Sequence, residues 1–424
     1  MKQYPKYKDS KISWIGDVPE HWTPRIFHSC VKVKVQTDNV DLELLSVYLD
    51  RGVVRFSDIQ EKRANATSEN LSKYQRVDYG DLVLNNQQAW RGSVGVSKFT
   101  GIVSPAYFVF KFTIPINFNF ANYLFRDGSF ISNYYVASRG VGSIQRNLYY
   151  PQLKRAILFL PPADEQQAIV EFLDTAVDKI DRYIAAKEAE IEKLGTLKQS
   201  VISQAVTKGL NPNAPMKDSG IPWIGEIPKH WEYKKINLLF SERCEKNHPN
   251  EPILCSTQKF GVIPQSMYEN RVVVVNKGFD GLKLVCIGDF VISLRSFQGG
   301  IEYAYYRGII SAAYTVLSLK NNIMDANYIR LLFKSHPFIQ LLQTCVTGIR
   351  EGQNINYSLL RKQFLPVPPT DEQQAIVKYI DEQVQKIDTS VGNIRQQIEK
   401  LKNYKQRLIS DAVTGKIDVR ERLG

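Results

Sequence analysis

The sequence predicts an α+β fold made by tandem duplication: a globular mixed α/β block followed by a long helix, then the same pair again, the two helices packing as an antiparallel coiled coil. Three observations carry this prediction. Whole words recur: KDSKISWIGDVPEHW (8–22) returns as KDSGIPWIGEIPKHW (217–231), PPADEQQAIV (161–170) as PPTDEQQAIV (368–377), and ISQAVTKG (202–209) as ISDAVTGK (409–416). Their offsets of 207 to 209 residues far exceed the roughly 20–50 of a solenoid repeat, so whole domains are duplicated. Each PP-DEQQ word opens a run of apolar residues spaced by three and four, and each stretch between those runs mixes strand-like and helix-like segments. The organisation is therefore block 1–160, helix 161–209, block 210–365, helix 366–415 and a tail, 416–424.

In the blocks, RVVVV (271–275), LKLVCIGDFVISL (282–294), YFVFKF (107–112) and YTVLSL (314–319) read as strands. NYLFRDGSFISNYY (122–135) and NYIRLLFKSHPFIQLL (327–342) read as helical. Fainter echoes, YGDLVL (79–84) against IGDFVI (287–292) and GIVSPAYFVF (101–110) against GIISAAYTVL (308–317), put the two blocks in register. The repeated segment with Trp14/Trp223, Trp22/Trp231, His21 and His230 is an apolar clasp at the entry to each block, a packing role rather than a ligand site.

The helices follow from period and caps. Asp164 with Gln167, and Asp371 with Gln374, have capping-box spacing after the proline pairs. The first seam is Leu173, Val177, Ile180, Ile184, Ile191, Leu194, Val201 and Ala205, interrupted by Lys187 and Lys198. The second is Val377, Ile380, Val384, Ile387, Val391, Ile394, Ile398, Leu401, Leu408 and Ala412, interrupted by Lys405. A period near 3.5 sustained this long argues a coiled coil, and the simplest partner for each seam is the other copy. Antiparallel packing of equivalent helices relates the blocks by a pseudo-dyad and holds them apart on a rod.

Charge and composition narrow the function. The net charge is +12, and 22 tyrosines and 20 phenylalanines accompany it. Residues 1–160 hold 21 Lys/Arg against 13 Asp/Glu (+8), and residues 209–365 hold 18 against 12 (+6). The remaining segments hold 16 against 18 (−2). A basic excess confined to two similar blocks suits two polyanion-binding modules. Five unpatterned cysteines suggest reduced thiols in a cytoplasmic protein without zinc, and no apolar run is long enough to span a membrane. Motifs for catalysis are missing: TGKI (414–417) lacks the rest of a phosphate loop, NPNAP (211–215) is not an adenine-methyltransferase signature, and no HExxH occurs.

Base edges are read best by Arg, Lys, Asn and Gln on loops held by a rigid scaffold. Two loops per block have that composition: NNQQAWRGS (85–93) and ASRGVGSIQRN (137–147), then SLRSFQGG (293–300) and VTGIREGQNINYS (346–358). The candidate DNA contacts are Gln87, Gln88, Arg91, Arg139, Gln145, Arg146, Arg295, Gln298, Arg350, Gln353 and Asn354. Gln145 and Gln353 could equally brace their loops, and REGQN aligns with GSIQRN only through a one-residue gap.

The repeated WIG-x-[IV]P-x-HW entry, the GxxQ-like loop and the PPxxEQxxI helix start resemble the specificity subunit of type I restriction-modification systems, over essentially the whole chain. The resemblance implies that each block is a target recognition domain reading one half of an asymmetric, bipartite DNA site. The helices would set a fixed gap between half-sites and dock two adenine-methyltransferase subunits. S-adenosylmethionine would belong to those subunits, and ATP and Mg²⁺ to motor-nuclease subunits, leaving this chain non-catalytic and without a cofactor of its own. Two other readings remain: a two-headed scaffold on a coiled-coil rod binding protein partners, and an autonomous nuclease or methyltransferase. The block charges weigh against the first and the missing motifs against the second.

Overall fold

The structure, a computed structural model, describes residues 2–59, 70–140, 146–268, 278–320, 323–347 and 354–420. The predicted strand RVVVV lies outside them. The chain divides into two compact units, Met1–Lys187 with Gln396–Gly424, and Glu188–Arg395. Each unit thus holds one block and one half of each long helix, Ala163–Lys208 and Thr370–Val413.

Both blocks are built on the same strand plan. In the first, a four-stranded antiparallel sheet runs in the order Val31–Val33, Tyr107–Phe112, Leu82–Asn85, Val94–Val96. In the second the order is Phe240–Arg243, Thr315–Leu319, Phe290–Ile292, Glu302–Tyr303. Tyr107–Phe112 reproduces the predicted YFVFKF strand, whereas LKLVCIGDFVISL is two strands, Lys283–Val285 and Phe290–Ile292. The repeated Gly-Asp word explains the break. Asp81 accepts from the Asp78 N–H at 2.8 Å and from Lys34 Nζ at 2.6 Å; Asp289 accepts from the Cys286 N–H at 2.7 Å and from Arg243 Nε at 2.8 Å. The buried aspartate ties off the turn in both blocks.

Each predicted block helix is also two. Phe118–Arg126 ends at Asp127, whose carboxylate caps Gly128–Val136 by accepting from the Ser129 N–H at 2.8 Å. Ala326–Leu332 and His336–Thr344 part at Ser335, with Pro337 in the new first turn. Phe27, Phe110, Phe125 and Phe130 pack edge-on or tilted beneath the first pair. Beneath the second, Phe240, Phe290 and Phe333 meet edge-on or tilted, and Phe333 stacks on Phe338.

The long helices have 46 and 44 residues. In the first unit Asp181 pairs with Lys405 at 2.5 Å, and Glu165, earlier on its helix, lies near Arg420, beyond the end of the other. In the second unit Lys198 pairs with Asp388 at 2.8 Å, and Gly209 lies against Glu372. Rising numbers on one helix meet falling numbers on the other in both units, so the pairing is antiparallel. Two of the three seam lysines, Lys198 and Lys405, are therefore not defects: each keeps its ammonium at the rim and takes an aspartate from the opposite helix. The Lys187 ammonium lies 5.7 Å from the ring centre of Tyr183 on its own helix. Gly195 and Gly392 face open space.

The capping boxes do not form. The helices begin at Ala163 and Thr370, one residue before Asp164 and Asp371, and the next two residues do the work. Gln166 donates to Pro161 O at 3.0 Å and accepts from the Asn117 N–H at 2.9 Å. Gln373 donates to Pro368 O at 2.8 Å and accepts from the Asp325 N–H at 2.6 Å. Glu165 accepts from His21 Nε2 and Trp22 Nε1, both at 2.8 Å, and from the Tyr4 hydroxyl; Glu372 accepts from His230 at 2.9 Å and Trp231 at 2.8 Å. The HW word and the DEQQ word are two halves of one device that fixes each block to its helix. A carboxylate in the first turn is also favoured by the helix dipole.

Candidate nucleic-acid interface

The first block's two candidate loops meet. Asn86 accepts from the Leu148 N–H with its backbone oxygen at 3.0 Å and its side-chain oxygen at 2.9 Å. Between them lies a stack of cations and rings: the Arg146 guanidinium is 4.3 Å from the Tyr135 ring centre and 6.0 Å from that of Trp90, and Arg91 is 5.8 Å from Trp90. Arg139 sits 3.7 Å over Tyr149. Such contacts hold long side chains extended and leave their charge available. Gln87, Arg91 and Arg139 are exposed, while Gln88 and Arg146 are half-buried. Gln88 accepts from Arg91 at 3.4 Å, and Gln87 lends its backbone oxygen to the Trp90 indole at 2.9 Å. Tyr135 and Trp90 are parts of this surface that residue-type reasoning passed over; the signal available was a tryptophan inside an Asn/Gln/Arg loop.

In the second block, Arg295 precedes a single helical turn, Ser296–Gly299, that carries Gln298; both side chains are exposed. The turn packs beside Asn354–Ile355, which pairs with Val346–Thr347, so exposed Asn354 lies close to the first loop. Gln145, Arg350 and Gln353 lie outside the described residues. Both blocks therefore bring their two loops together, by an aromatic–cation stack in one and by a short helical turn against a hairpin in the other.

Among the described residues no cluster of His, Cys, Asp and Glu could hold a metal ion, and all five cysteines are free thiols. Burial pushes the Cys30, Cys255 and Cys345 thiols above the usual cysteine range, which suits packing rather than reactivity. No described helix is long and apolar enough to cross a membrane.

Comparison with known proteins agrees with this architecture. The family model described as type I restriction modification DNA specificity domain matches twice, over residues 51–193 and 228–400. The chain belongs to the type I restriction-modification DNA specificity family. Among relatives of this specificity chain, the putative type I restriction enzyme MjaX specificity subunit of Methanocaldococcus jannaschii is 24% identical, with 99% of each chain covered. The EcoKI specificity subunit of Escherichia coli is 21% identical, covering 86% of this chain and 82% of that one. The HsdS subunit from Thermoanaerobacter tengcongensis has a similar fold, with a TM-score of 0.50, 17% identity, and 94% and 98% coverage. A chain from a study of the assembly and conformational transition of a type I R-M system superposes with a TM-score of 0.63, 16% identity, and 93% and 98% coverage.

Proposed function

We propose that this chain is the DNA-reading subunit of a type I restriction-modification complex, each block recognising one half of an asymmetric bipartite site. The observation that carries this is the duplicated specificity domain in which each copy gathers its own, different pair of Arg/Gln/Asn loops. NNQQAWRGS and SLRSFQGG differ in nearly every polar group, so two unlike half-sites follow. Phosphate contacts from the basic blocks supply much of the affinity and make it salt-dependent. The paired helices, which cannot stretch, set a constant gap.

The chemistry lies elsewhere in this proposal. Two adenine-methyltransferase subunits dock on the helices and bring S-adenosylmethionine; motor-nuclease subunits bring ATP and Mg²⁺; this chain itself is non-catalytic. The target adenine must leave the base stack to react, and the blocks' grip on both half-sites supports that opening. Single-molecule mapping of N6-methyladenine in a host carrying the operon, with and without this gene, tests the proposal. A split motif of constant gap that vanishes on deletion is the expected result. A purified chain that binds duplex no better at low salt than at high salt, and binds a protein instead, would support the scaffold reading.

A further inference from the structure

The second block contains an ion pair between a buried carboxylate and a half-buried lysine that no part of the fold described so far requires. Glu302 is 2% exposed, in the edge strand that follows the Ser296–Gly299 turn. Its Oε1 accepts from Lys334 Nζ at 2.5 Å, while Oε2 is buried without a hydrogen-bond partner. A buried carboxylate satisfied at only one oxygen costs stability that an apolar residue of similar size would avoid. Burial pushes its pKa up, with Lys334 pulling it back. The corresponding strand position in the first block, paired to Val83 as Glu302 is paired to Val291, is Gly95, so the fold itself does not need the charge.

Lys334 shows what the pair holds. The same ammonium donates to Gly299 O at 2.8 Å, at the end of the turn that carries Gln298. Its neighbour Phe333 presses its carbonyl against Gly300, where an added Cβ would lie 2.2 Å from that oxygen. Gly300, at φ +88°, closes the turn by donating to Ser296 O at 2.8 Å. The junction between the helices Ala326–Leu332 and His336–Thr344 therefore grips the turn at two adjacent residues. Glu302 holds the gripping ammonium in place.

We propose that Glu302 and Lys334 are positioning residues for DNA reading by the second block, fixing the Ser296–Gly299 turn so that Gln298 meets one base pair rather than several. This rests on the DNA-reading function proposed above. Without the pair the turn stays folded but loosens, and discrimination falls while phosphate-driven affinity remains.

The test uses the assembled methyltransferase complex carrying wild type, Glu302→Gln or Gln298→Ala. Competition binding compares the cognate duplex with duplexes bearing one base-pair change in either half-site. Loss of one well-placed base contact should cut discrimination about tenfold. The expected result is that loss for Glu302→Gln at one half-site, the same one that Gln298→Ala weakens, with the other half-site and the salt slope unchanged. Should Glu302→Gln fail to fold, the double variant Glu302→Met/Lys334→Met, which leaves no unpaired charge, is expected to show the same one-sided loss. Unchanged discrimination in a folded variant, or an equal loss at both half-sites, overturns the positioning role. A wild-type complex that shows no split-site preference would instead overturn the DNA-reading function beneath it.

Discussion

Removing the Glu165 carboxylate should damage the first unit about twice as much as removing Glu372 damages the second. Glu165 receives the Trp22 indole N–H and the Tyr4 hydroxyl, on side chains of residues 1% and 4% exposed, besides the half-exposed His21. Burial and the Glu165 carboxylate hold the Tyr4 phenol far above the usual tyrosine range, so it stays a donor at any working pH. Glu165→Ala strands two buried donors at about 1–3 kcal/mol each, about 2–6 kcal/mol together. Glu372→Ala strands one, the fully buried Trp231 indole, for about 1–3 kcal/mol. The asymmetry arises because Tyr4 has no tyrosine counterpart; 209 residues on stands Asn213. A chain of two units need not unfold in one step, so the readout is hydrogen exchange resolved by peptide, with urea unfolding followed by tryptophan fluorescence alongside. Glu165→Ala should speed exchange in residues 2–22 more than Glu372→Ala speeds it in residues 215–231. Equal effects, or a Glu165→Ala cost under about 1 kcal/mol, would refute the account of the device.

Further outcomes follow from the same geometry. Gly195→Ala and Gly392→Ala, at helix-interior sites with no neighbour within 4 Å of a new methyl, should each stabilise the chain by about 1 kcal/mol in urea titrations. The Arg420 guanidinium hydrogen-bonds Asp418 and holds its carboxyl below the usual aspartate range. A depressed pKa contributes stability above the unfolded value of roughly 4 that is lost as pH falls through the folded one. Asp418→Asn should therefore speed exchange in residues 414–420 at pH 7, an effect that shrinks as the pH falls below about 4. The Asp418 N–H donates to Lys2 O at 2.9 Å, so joining the termini by a short linker and opening the chain at 211–214 should leave the melting temperature nearly unchanged. Arg139→Ala should weaken duplex binding and lower the slope of log affinity against log salt by about one if Arg139 meets a phosphate, measured by fluorescence anisotropy.

The duplication, the strand–helix composition of the blocks, the two long helices and their seams were all legible in the sequence. They rest on periods and repeated words, and apolar burial enforces those periods wherever the chain goes. Which polar residues do what was decided by tertiary structure. Capping-box spacing pointed to Asp164 and Gln167, yet Glu165 and Gln166 hold the block, because their partners lie on Tyr4, His21, Trp22 and Asn117, distant in sequence. Lys198 and Lys405 read as interruptions until each met an aspartate across the pair. Loop composition marked Arg146 and Gln298, and Trp90 stood inside one marked loop, but the stack with Tyr135 and the Glu302–Lys334 grip form only where distant elements meet. Hydrophobic periodicity is a property of a segment by itself, while a hydrogen bond or an ion pair exists only once the fold has brought its two ends together.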